Sequence, residues 1–322
     1  MKFKAILSLM LCFALTAGLC ACNTEKRNNK IRIAVIAKSE DSDFWHAVKK
    51  GVDTAATEYN VDATFEGPQN EEDYITQNSM IERAAKDGAD AIVLSAINYY
   101  QSADSVNKAA RLGSKIVTID SDVDSSNVSL FIGTDNIEAG RAAGKSATEG
   151  FSQNSEIYIG LVNYYESSDN GIQREKGFRE YISNIPNAQI VAGINVDSNT
   201  QSAEDGAVSL LNDYPQINVL VGFNEWMTLG VGSAIRKLSL SDKVLGVGFD
   251  TNIVSVGMIE TGEMDALIVQ NPFAMGYLGV MNAAKLAAGE AVDEGSVYTA
   301  VTTVNRENLF DEDIQKILFR FG

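Results

Sequence analysis

The chain has 322 residues, 45% of them hydrophobic, enough for one large core or two lobes of about 130–150 residues each. With 26 basic against 43 acidic residues its net charge is −17, and a surface this acidic repels phosphates and excludes nucleic acid as a partner. Its three cysteines, Cys12, Cys20 and Cys22, crowd the N-terminus and its single histidine is His46. That excludes multi-histidine metal sites, and any Ser-His-Asp or Cys-His arrangement that does not use His46.

Met1-Lys2-Phe3-Lys4 opens the chain with two positive charges, and residues 5–19 are apolar apart from Ser8, Thr16 and Gly18. This is the pattern of a secretory leader, with a core too short to span a membrane as a helix. Leu19-Cys20-Ala21-Cys22 resembles a bacterial lipobox. The resemblance implies a signal peptide over 1–21 and a lipidated first mature residue at Cys22, with acyl chains as the only membrane contact. Loss of Lys2 and Lys4 makes the mature balance 24 − 43 = −19, and leaves neither a disulfide nor a cysteine metal site. Residues 22–30 then read as a polar tether.

From Ile31 short apolar runs alternate with amphipathic segments. The spacing predicts strands over 31–37, 63–66, 91–95 and 115–120, with helices over 44–59, 74–86 and 102–112 between them. The alternation restarts after 131–133. Helices fit 136–149, 173–183, 203–212, 227–238, 254–261 and 274–288; strands fit 157–162, 189–195, 219–222, 244–249, 266–269 and 299–304. Several strands are continuous apolar runs, as parallel strands covered on both faces require. The expected fold is α/β: two doubly wound parallel-sheet lobes joined by hinge strands, 31–134 plus 271–299 and 135–270 plus 300–322.

Ligands of open parallel sheets bind beyond the carboxyl ends of the strands. Those positions hold Lys38 to Phe44-Trp45, Asn98-Tyr99-Tyr100, Asp120, Asn163-Tyr164-Tyr165, Arg174, Asn224-Glu225-Trp226, Asp250 and Gln270. Carboxylates and amides that accept from hydroxyls, a guanidinium that donates and aromatic faces suit a polyhydroxylated ligand. Plainer readings stand beside this one. Asp120 and Asp250 equally suit turn or helix caps, Phe44 or Trp45 the core, and Arg174 a pair with Glu175 or Glu180. His46 reads as an ordinary helix residue.

In order along the chain stand Phe44-Trp45 with Lys49-Lys50-Gly51, Gly113 to Asp120, Gly133-Thr134-Asp135-Asn136, Gln173 to Phe178, Val247 to Asp250 and Val269-Gln270-Asn271-Pro272. Over about 31–305 this set resembles the type I periplasmic binding proteins of the ribose-binding group. The resemblance implies that Phe44 and Trp45 sandwich a sugar ring and that Asp120 accepts from two hydroxyls. It further implies that Arg174, Asn224 and Asp250 bind from the second lobe and that Gln270 sits near the hinge. The chain departs from the ribose-type pattern at Ser121, where an arginine often stands, at Lys38 and Ser42, and in the acidic Glu40, Asp41 and Asp43. The implied protein is a monomeric, cofactor-free, lipid-anchored solute-binding component of an ABC importer. It would sit on the extracytoplasmic face of the cell membrane, taking a monosaccharide and delivering it to a permease. The alternative is a sensor presenting its ligand to a membrane receptor kinase. A glycoside hydrolase using Asp120 and Asp250 is disfavoured because strand-end carboxylates read as solvated. A lac-repressor-type regulator is disfavoured by a leader where DNA-binding helices would stand.

Overall fold

The computed structural model describes residues 30–293 and 295–318; the leader, Cys22 and the tether lie outside the described residues. The elements begin β1 (Arg32–Ile36), α1 (Asp43–Glu58), β2 (Asp62–Glu66), α2 (Tyr74–Lys86), β3 (Ala91–Leu94), α3 (Ala103–Arg111), β4 (Lys115–Ile119) and β5 (Val128–Gly133). They continue α4 (Asn136–Thr148), β6 (Ile157–Tyr164), α5 (Asp169–Ile182), β7 (Ala188–Val196), α6 (Thr200–Asp213), β8 (Val219–Gly222), α7 (Glu225–Lys237), β9 (Leu245–Phe249), α8 (Ile253–Thr261) and β10 (Ala266–Val269). Last come α9 (Pro272–Ala287), β11 (Gly295–Tyr298), β12 (Thr302–Asn305) and α10 (Glu312–Leu318).

Two sheets result, in the orders β11-β5-β4-β3-β1-β2 and β12-β10-β9-β8-β6-β7. All pairs in the first are parallel, and in the second only β12 runs antiparallel, against β10. Strand alternation explains the double cover. Ile33 and Val35 of β1 join a cluster with Val48 and Val52 of α1, whereas Ala34 and Ile36 pack on the opposite face with Ile81 of α2. The second sheet has one large core that includes Phe178, Phe223 and Phe249. Each sheet with its helices is a lobe. After β5 the chain enters α4, which packs on β8, β9 and β10; after β10 it returns in α9, which packs on α1, β3 and β4.

This is the expected doubly wound pair, with differences in detail. The strand expected over 299–304 is β12, shifted to 302–305; β11, before it, and β5 are further strands, and since β11 completes the first sheet and β12 the second, the last crossover falls between them. Helix α5 begins at Asp169, four residues before the predicted start, and α10 follows the last strand. Among the described residues no helix is long and apolar enough to cross a membrane.

Candidate functional site

Both sheets follow the same winding, and in each the first strand is flanked by connections that leave on opposite sides. That reversal opens a crevice at the carboxyl ends of β1 and β3 in one lobe and of β6 and β8 in the other. A narrow cavity of about 30 Å³ lies where these ends meet. Its lining contains all seven non-lipid residues singled out by the sequence: Phe44, Trp45, Asp120, Arg174, Asn224, Asp250 and Gln270. It also contains Lys38, Ser42, Glu71, Tyr164, Asn170, Glu225 and Trp226. A larger groove, about 510 Å³, runs past the crossovers and shares Phe44, Asp250 and Gln270 with it.

Asp120 and Asp250 follow β4 and β9 and are two of four non-glycine residues with positive φ among the described residues, at 59° and 64°. Asp tolerates this left-handed conformation better than most residues. Each keeps its backbone N–H in the sheet, donating to Ile132 and Ile268 respectively. Neither caps a helix: the caps of α7, α8 and α9 are Asn224, Asn252 and Asn271. Nor are they solvated, as the sequence reading held; both are buried. Burial pushes the Asp250 carboxyl up, against the opposing field of Arg174 and the hydrogen bond from Gln270.

Within the cavity Lys38 Nζ lies 3.4 Å from Asp120 Oδ2. It donates to Ser168 Oγ at 3.0 Å and Asn170 Oδ1 at 3.1 Å, across the cleft. Asn170 Nδ2 returns a bond to Asp120 Oδ1 at 3.1 Å, and Ser95 Oγ donates to Asp120 Oδ2 at 2.9 Å. Tyr164 O–H donates to Asn170 Oδ1 at 2.6 Å.

Arg174, at 1% exposure, does not pair with Glu175 or Glu180, the plainer reading of its sequence position. Glu175 accepts from Arg179 and Glu180 from Arg141. Its Nε donates to Asn136 Oδ1 and its Nη1 to Phe223 O, both at 2.8 Å, and its guanidinium lies 4.7 Å over the Phe249 ring. Its Nη2 is buried without a hydrogen-bond partner. An orphaned guanidinium N–H facing a cavity is a donor available to a ligand. Gln270 joins the lobes at a crossover: its Nε2 donates to Asp250 Oδ1 and its Oε1 accepts from Thr134 Oγ1, both at 2.7 Å.

Phe44 and Trp45, in the same lining, meet edge to face, centroids 5.0 Å apart. Ser42 caps α1 by accepting from Trp45 N–H, which fixes both rings at the helix start. Trp45 Nε1 donates to Glu71 Oε1 at 2.9 Å. Ser198 Oγ donates to Glu71 Oε2 and accepts from Asn224 Nδ2, linking the lobes again. Asn224 Oδ1 is engaged in capping α7, so its amide nitrogen is the part left for the cleft. Glu225 Oε1 accepts from Asn252 Nδ2 at 2.8 Å, and burial pushes its carboxyl up to about 7. His46 is exposed, 3.8 Å from Asp43, as its helix position implied.

Sequence reasoning passed over Glu71 and Asn170. Glu71 sits in the loop after β2, away from any strand end. Asn170 falls in the first turn of α5, where Ser168-Asp169 is a readable helix start.

The chain matches the model of the periplasmic binding protein domain over residues 33–291. It is 26% identical over 292 residues to a D-ribose/D-allose-binding protein of Pseudomonas aeruginosa, covering 85% of this chain and 89% of that one. A carbohydrate transporter solute binding protein from Agrobacterium radiobacter, crystallised with D-arabinose, superposes with a TM-score of 0.87. It is 29% identical, with 90% of this chain and 99% of that chain covered. A sugar transporter from Clostridium phytofermentans is 34% identical over 85% of this chain and 98% of its own, with a TM-score of 0.78. With family model, fold and relatives in agreement, the chain belongs to the periplasmic binding protein domain family, as a type I, ribose-binding-like binding protein and not an enzyme.

Proposed function

We propose that this chain is the extracytoplasmic sugar-binding component of an ABC importer, held on the cell membrane by lipid on Cys22. The lobes are taken as 31–134 plus 271–299 and 135–270 plus 300–322, closing as a monomer over a monosaccharide. The observation that carries the reading is the cavity itself. Both lobes line it with carboxylates, amides and cations for hydroxyls and with aromatic faces for the C–H surface of a ring. Because residues of both lobes line it, ligand favours the closed arrangement by its differential affinity.

A thermal-shift screen over pentoses, hexoses, deoxy sugars, amino sugars and polyols tests it. Ligand at about 100 times its dissociation constant adds about 2.7 kcal/mol, which is roughly 4–5 °C for a chain of this size. A screen in which every sugar leaves the melting temperature unchanged refutes the reading.

A further inference from the structure

Two cations and four carboxylates line the cavity: Lys38 and Arg174 against Glu71, Asp120, Glu225 and Asp250. Lys38 pairs with Asp120 at 3.4 Å, and Arg174 supplies the field that opposes the burial of Asp250. Lys38 is shared with Glu71, whose burial its charge also opposes, so four carboxylates divide two cations and the surplus falls on Glu71 and Glu225. Among the described residues neither makes an ion pair, and their hydrogen-bond donors are neutral. Glu71 accepts from Trp45 Nε1 and Ser198 Oγ, and Glu225 from Asn252 Nδ2 and the Phe44 N–H. Both surplus carboxylates therefore sit against the aromatic pair, one from each lobe. Surplus buried charge is costly until a proton or a cation neutralises it. Aromatic faces beside carboxylates attract an ammonium group. The orphaned Nη2 of Arg174 in the same cavity calls for a ligand oxygen as well.

We propose that the ligand is a monosaccharide bearing a protonated amine. Its ammonium seats against Phe44 and Trp45 between Glu71 and Glu225, and Arg174 Nη2 donates to one of its oxygens. This rests on the sugar-binding reading above and narrows it. Burial raises Glu71 against the field of Lys38, which Asp120 also shares, and raises Glu225 with no cation opposing it. The charged and titratable groups facing Glu225 are Asp43 from α1 and Asp250 after β9, with Lys38, Glu71, Asp120, Tyr164 and Arg174 along the cavity.

The test is calorimetric titration with D-glucosamine, D-galactosamine, D-mannosamine and terminally aminated pentoses and hexoses. Each is run beside its parent sugar and its N-acetyl derivative. At least one amine should bind tenfold or more tighter than its parent, and acetylation should remove the advantage. Glu225→Gln and Glu71→Gln, folded by their melting curves, should each bring the amine-to-parent ratio within threefold. Affinity for the amine should rise about fivefold from pH 6 to pH 7 as Glu225 ionises, and the rise should vanish in Glu225→Gln. Parent sugars binding as tightly as their amines would overturn the proposal and leave the sugar-binding reading standing. Failure of every amine and every parent to bind would overturn both.

Discussion

Gly140→Ala should weaken ligand binding from outside the cavity. Gly140 is in α4 where that helix crosses α5, and a Cβ there would lie 2.0 Å from the Arg174 carbonyl oxygen and 2.9 Å from Phe178 N. Both obstacles are backbone. Restoring a contact near 3.5 Å needs the helices to part by about 1.5 Å. Alanine gains about 1 kcal/mol of helix propensity. Against that stand about 1–3 kcal/mol of overpacking and part of the charge-assisted bond from Arg174 Nε to Asn136 at the start of α4. With about 1 kcal/mol of that bond lost, the net is a loss of about 1–3 kcal/mol in urea denaturation. With Arg174 displaced, affinity for the best sugar of the screen should fall tenfold or more, about 1.4 kcal/mol. Gly257→Ala in α8 is the internal control: nothing lies within 4 Å of its added Cβ, so it should stabilise by about 0.5–1 kcal/mol and leave binding alone. If Gly140→Ala behaves like Gly257→Ala, the helix crossing does not position Arg174 and the reasoning fails.

Asp120→Asn keeps a side chain that tolerates positive φ but strips Lys38 of its buried counter-ion. A stability loss of about 3–5 kcal/mol is expected, largely recovered in a Lys38→Met/Asp120→Asn double variant; additive losses would show that the pair is uncoupled. Glu225 carries a folded-state value of about 7 against an ordinary 4.5, so its proton favours the folded state. That contribution is full below about pH 4.5 and is lost as pH rises through 7. Glu225→Gln should therefore gain on the order of 3 kcal/mol over the native chain at pH 8 and little at pH 4, and parallel stability curves would contradict it. Cys22→Ser should leave the protein in the medium or as precursor, and normal processing with membrane retention would defeat the lipobox reading.

What the sequence disclosed depended on whether a signal was local. Tyr74–Lys86, Val219–Gly222 and Ala266–Val269 were readable to the residue, because periodicity or an apolar run stops at polar or turn-forming neighbours. Gly295–Tyr298 was not: it is a mostly exposed edge strand without an apolar run, and it becomes a strand by pairing with β5 far away in the chain. The strand-end rule found twelve of the fourteen lining residues, all but Glu71 and Asn170, because the winding brings strand ends together. It could not find Glu71, which joins the cavity through Trp45 and through Ser198, 127 positions away. Glu225 was in the strand-end set, but its burial between lobes is a tertiary fact. The same holds for Asp120 and Asp250, whose polarity read as solvation until the opposite lobe covered them.

The division of charge between the lobes bears on how closure is driven. Lys38, Glu71 and Asp120 follow strands of the first lobe and sum to one negative charge; Arg174, Glu225 and Asp250 do the same in the second. Each lobe alone can leave its surplus facing water. Closure buries the two surpluses together, and the cross-cleft bonds from Lys38 to Ser168 and Asn170, from Asn170 to Asp120 and from Ser198 to Glu71 offset part of that cost. A ligand that only adds contacts must overcome the remainder. A ligand that brings a positive charge removes it, so its differential affinity for the closed form is larger by the repulsion it cancels. Scattering profiles should then show the amine compacting the protein at a lower fractional saturation of the cleft than its neutral parent requires. Equal compaction at equal saturation would mean that charge balance has no part in closure.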